Sequence, residues 1–103
     1  MSNISSTQDG NTEFAGGRKL VVVTATPAST TGDTITFSAA THGITAIDAI
    51  LACDIQSGIV PNCSSMSATY SGLVVTTSYY NQAGYAATSI SGITIRLAVL
   101  GTI

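Results

Sequence analysis

With 103 residues the chain has room for one domain, and its formal net charge of −2 leaves little ionic surface to cover it. Arg18, Lys19 and Arg96 stand against Asp9, Glu13, Asp33, Asp48 and Asp54. These groups would cover roughly 15% of the surface, below the ~25–35% typical of a freely soluble domain. Only Arg18 and Lys19 are adjacent, which speaks against a phosphate-binding patch and hence against nucleic acid.

Residues 1–13, MSNISSTQDGNTE, hold one large apolar residue, Ile4, and read as a flexible N-terminal arm ahead of a domain spanning 14–103. The arm has no apolar run of the kind that opens a secretory signal, and no stretch of 18 apolar residues occurs anywhere. Synthesis in the cytoplasm and no membrane contact are the expectation. After Gly16-Gly17, residues 18–26 are dense in β-branched side chains and end at Pro27, the profile of a strand buried on both faces or at an interface. PASTTGD at 27–33 is turn chemistry, with Gly32 able to supply a positive φ. Residues 34–38 then alternate and predict a strand with Ile35 and Phe37 inward.

Residues 44–56 are ambiguous. Ile44, Ile47, Ile50, Leu51 and Ile55 fit helical spacing, while the isoleucine content and the β character of the surrounding chain tip the reading towards a strand, with room for a bulge. SGIVPNCSS at 57–65 predicts a surface loop. Further strands are expected at 66–70, 73–80, 85–90 and 93–100, separated by Gly-containing turns. The 13 serines and 16 threonines agree with this, because both compete with helical hydrogen bonding and threonine suits a pleated surface. Six or seven short strands at this spacing predict an all-β, single-domain antiparallel β-sandwich or small β-barrel.

Catalytic residue types are scarce. His42 is the only histidine, precedes Gly43, and reads as a solvated or capping turn residue; no GxSxG surrounds any serine. A small hydrolase using His42 is the enzyme-class alternative, and no cofactor is expected. Cys53 and Cys63 lack the spacing of a zinc site and read as small core residues, a disulfide after release from the cell being the alternative. Asp33, Asp48 and Asp54 lack a calcium-loop pattern, so no metal is expected. Asp48 and Asp54 would share a strand face and pair with Arg96, or with Arg18 of a neighbour. Tyr70, Tyr79, Tyr80 and Tyr85 cluster in the second half, where protein contact or cross-strand pairing is the expected use.

The order Gly17-Arg18-Lys19-Leu20-Val21-Val22-Val23, Gly32-Asp33-Thr34-Ile35, Gly43-Ile44-Thr45-Ala46-Ile47-Asp48, and a final Val/Ile-rich strand through Arg96 to Leu100-Gly101 resembles small virion structural proteins of tailed bacteriophages. The resemblance is to the head decoration, or cement, proteins. It implies a non-enzymatic protein on the capsid surface that binds the major capsid protein and copies of itself as a homo-oligomer, a trimer favoured over a dimer. The partner-binding residues expected on that reading are Ser2, Asn3 and Ile4 of the arm, Arg18 and Lys19, and Tyr79, Tyr80 and Tyr85. The runner-up is a tail or fibre-associated module that binds a host-surface glycan through the tyrosines.

Overall fold

Alternation outlines the architecture. In the computed structural model, which describes residues 2–14, 16–57 and 61–103, Val21, Val23 and Ala25 are buried while Leu20, Val22 and Thr24 between them are partly exposed. Two stacked sheets result wherever such strands meet face to face. The strands are β1 (Ser2–Asn3), β2 (Ser6–Phe14), β3 (Arg18–Ala25), β4 (Asp33–Thr36), β5 (Ala46–Ser57), β6 (Ser65–Ser71), β7 (Val74–Tyr80) and β8 (Thr94–Thr102), with one helical turn, α1 (Ala39–His42). Sheet I has the order β1-β4-β7-β6 and sheet II the order β2-β3-β8-β5. Neighbouring strands run antiparallel except β1 and β4, which are parallel. The chain is thus an all-β single domain, as expected.

The core lies between the sheets. Ile35, Phe37, Val75 and Tyr79 come from the sheet I side, and Val21, Val23, Ile95, Leu97 and Val99 from sheet II. Ile44, Cys63 and Ile93 close it from the connections. The accessible surface is 5148 Å². Mass scaling for a folded monomer gives roughly 5,400 Å², so the fold buries as much as an ordinary domain of its size.

Three segments depart from the sequence expectations. The segment 1–13 was expected to be a flexible arm, but Ser2–Asn3 pair with β4 and Ser6–Phe14 lie along β3, the chain crossing from one sheet to the other at Ile4-Ser5. The Ile4 amide donates to the Thr34 carbonyl at 2.8 Å, and Ile4 packs on the core. Backbone hydrogen bonds, which need no apolar side chains, hold this polar stretch. Residues 85–90 are irregular with one isolated bridge, Tyr80 to Ala86, because Asn81 folds the chain back by accepting the Ala83 and Tyr85 amides at its side chain. A helical turn was not anticipated at 39–42. Ser38 caps it by accepting the Thr41 amide, and Gly43 ends it at φ 75°.

The ambiguous segment is a strand. β5 pairs with β8 along its length, with register shifts between Ile47 and Ala49, Ile50 and Ala52, and Ile55 and Ser57. Those bulges explain the helix-like spacing: each adds a residue, so Ile47, Ile50 and Cys53 turn inward every third position instead of every second. Of the expected loop at 57–65, residues 58–60 lie outside the described residues, and Pro61-Asn62 form a turn. No helix among the described residues is long and apolar enough to cross a membrane.

Candidate interaction surfaces

Charge is sorted between the two faces. Asp9, Glu13, Arg18, Lys19, Asp48, Asp54 and Arg96 all belong to strands of sheet II. Sheet I contains one charged residue, Asp33, which is fully buried.

The outer face of sheet II is banded. At one end Arg18 Nε lies 3.4 Å from Asp48 Oδ2, and the Thr102 hydroxyl donates to the same oxygen at 2.8 Å. At the other end Arg96 Nε lies 3.7 Å from Asp9 Oδ2, which also accepts the Thr24 hydroxyl at 2.8 Å, and Asp54 stands opposite Arg96 in the ladder. Between these bands the rows are apolar. Leu20 is opposite Leu100, which is opposite Ala49; Val22 is opposite Ala98, which is opposite Ala52. Leu51, at a bulge beside them, is 57% exposed. The structure corrects the expected pairing: Asp48 meets Arg18 of its own chain across β8, and Arg96 meets Asp9. Both ion pairs are exposed and contribute at most about 1 kcal/mol each.

The outer face of sheet I is a hydroxyl surface. Thr34, Thr76 and Thr69 form one cross-strand row, Ser78 and Ser67 another, and the Tyr80 hydroxyl lies 3.0 Å from the Ser67 hydroxyl. Asn3 at the edge accepts from the Thr34 hydroxyl at 3.2 Å. Such a face can be desolvated against a protein without burying an ion.

A few polar groups are enclosed. Asp33 Oδ2 accepts the Tyr79 hydroxyl at 2.6 Å and the Ala28 amide at 3.1 Å, while the Asp33 amide donates to the Thr77 hydroxyl. Burial, with the Asp33 carboxylate beside it, pushes the Tyr79 phenol well above its usual range, so it stays a donor. Asp33, Thr77 and Tyr79 are essentially inaccessible, which leaves this cluster a core network. His42 is also buried, so of the solvated or capping turn residue expected the solvated form is excluded, and it sits in the last turn of α1 before Gly43. It stacks on Phe37 with ring centroids 4.6 Å apart, and its Nδ1 accepts the Ser38 amide at 3.1 Å. Burial, then the Lys19 ammonium, lowers its pKa. A neutral ring therefore carries its proton on Nε2, a donor that finds no acceptor among the described residues. Cys53 and Cys63 are free thiols whose pKa burial raises; Cys63 is in the core and Cys53 packs against it. Two open clefts of about 440 and 280 Å³ flank the crossing at Ile4-Ser5, lined by hydroxyls and short apolar groups, with His42 at one wall.

No protein-family model, curated protein or solved structure matches the chain. Of the residues expected to bind partners, Asn3, Arg18 and Tyr85 are exposed, Ser2, Lys19 and Tyr80 half-buried, and Ile4 is packed on the core. Tyr79, 1% exposed, is removed from any surface role by its place between the sheets. Tyr70 is exposed at its ring while its hydroxyl donates to the Asp48 carbonyl at 2.7 Å, tying β6 to β5. Residues 18–26 were expected to be buried on both faces or at an interface, but which of their side chains would face outward was not legible, because a run of consecutive apolar residues does not say which of them the partner sheet will cover.

Proposed function

We propose that this chain is a non-enzymatic structural protein of a virion, a decoration protein that binds the major capsid protein and other copies of itself. The sorting of charge carries this reading. A face of sheet without a single ionic group and an opposite face with an apolar centre and ionic ends suit two different protein contacts. The hydroxyl face of sheet I fits the larger partner, because many weak hydrogen bonds across a flat area couple subunits without requiring a pocket. Each copy that bridges two capsid subunits adds its own contacts to those that must break before they separate.

Purified particles provide the test. The chain is expected in them at a fixed ratio to the major capsid protein, with density on the capsid exterior by electron microscopy. Thr76→Lys with Ser67→Lys, which places two ammonium groups on the sheet I face, is expected to abolish decoration without unfolding the chain. Particles that lack the chain, or decoration unaffected by both lysines, would refute the reading.

The glycan-binding alternative retains one observation in its favour, Tyr85 at 73% exposure. Tyr70 is also exposed at its ring, but its hydroxyl is held by the Asp48 carbonyl, Tyr80 bonds Ser67 and Tyr79 lies in the core, which leaves a thin stacking platform.

A further inference from the structure

Strand addition is poorly served by this fold. β1 has two residues; β2 carries a bulge at Asp9 and two carboxylates; β5 has three register shifts; β6 is tied to β5 through Tyr70. Short, bulged or charged edges resist pairing with another chain. Self-association is left to the faces, and the one with an apolar centre is the outer face of sheet II.

We infer that this face joins two copies of the chain about a two-fold axis running along β8, an inference that rests on the assembly reading above. The arrangement follows from side-chain size and charge. β3 presents Leu20 and Val22, whereas β5, two strands away, presents the small Ala49 and Ala52 with Leu51 exposed at the bulge between them. Rotation about β8 lays β3 of one copy over β5 of the other, so Leu20 and Val22 meet Leu51 and its flanking alanines twice. The same operation sets Arg18 of each copy against Asp48 of the other. Near the axis Arg96 of each copy gains the Asp54 carboxylate of its neighbour, which offsets the approach of the two guanidinium groups. Opposite charges thus meet in every outer row without a like-charge pair left alone.

Area sets the strength. Three strands about 4.8 Å apart and four rows about 6.7 Å apart cover roughly 400 Å² of flat sheet per copy. Stable complexes bury about 800 Å² per partner, so the pair is weak when free and gains occupancy where a scaffold concentrates many copies.

Complementary charge reversal tests the axis. Two copies of Arg18→Asp oppose carboxylates, two copies of Asp48→Arg oppose guanidinium groups, and a mixed pair opposes unlike charges at both positions. In sedimentation velocity the native chain is expected to associate reversibly as concentration rises. Each variant alone should remain monomeric, and their equimolar mixture should pair at concentrations at least about tenfold below either alone. Ala52→Glu, an exposed change that circular dichroism should show folded, is expected to abolish pairing by placing a charge in the apolar centre of the face. A mixture no more associated than its parts, or Ala52→Glu that still pairs, would overturn the two-fold contact. Decoration by a strictly monomeric chain would sink the pair and spare the assembly reading; pairing by a chain not found in particles would do the reverse.

Discussion

Tyr79 and Asp33 show how one hydrogen bond can organise a core. The 2.6 Å bond joins two groups with no access to water, and Asp33 Oδ1 already lacks a partner among the described residues. Tyr79→Phe keeps the ring and removes the donor, so it should lower unfolding free energy by about 1–3 kcal/mol in urea titration. Tyr79→Ala would add a cavity and cost more, about 3–5 kcal/mol. Loss of function after such a change would report unfolding, which makes Tyr79 useless as a probe of binding. His42 contributes a pH dependence whose sign follows from burial. Its folded pKa lies below the unfolded value near 6.5, so the unfolded chain binds the extra proton first as pH falls. Its contribution is complete above about pH 6.5 and is lost as pH falls from there through the folded pKa. The melting temperature should therefore drop between pH 7 and pH 5, and His42→Phe should flatten that slope, as differential scanning calorimetry would show. His42 and Tyr79 were visible in the sequence as residue types, but their burial was not, because a histidine before glycine and a tyrosine among tyrosines look alike inside and outside a fold.

At the level of elements, periodicity succeeded where one sheet face is covered and failed where backbone hydrogen bonds do the holding. β3, β7 and β8 were legible because Val21 and Val23, Val75 and Tyr79, and Ile95, Leu97 and Val99 must all leave water. β5 was half-legible, since its bulges imitate the spacing of a helix. β1 and β2 were invisible, since Ser6 to Glu13 bring no apolar side chain to bury. The consequence is measurable. Deleting residues 1–13 should uncover the apolar edge of β3, lower the thermal midpoint and raise light scattering through edge pairing. A truncated chain that melts unchanged would mean the segment behaves in solution as the arm its composition suggests.

For the whole molecule the decisive feature is the division of surface chemistry between two sheets. Alternation along β3 and β8 places hydrophobic residues on both faces, so closing the sandwich covers one set and leaves the other outside. An apolar stripe between two ionic bands is the by-product of that closure, and it has the layout of an interface, with a dry centre and a polar rim. Seven of the eight charged residues sit on sheet II, so sheet I is left to Ser, Thr and Tyr hydroxyls. The proposed assembly is an inference from this division rather than from any single site.

The sequence by itself determined the all-β class, the single domain, the main apolar strands and the shortage of surface charge, because these depend on composition and on patterns local to a strand. The order of the sheets, the folding back of residues 2–14, and the pairing of Arg18 with Asp48 were decided only by the tertiary structure. Each of these depends on which strands become neighbours, a long-range outcome of burying the core that no short window of sequence encodes.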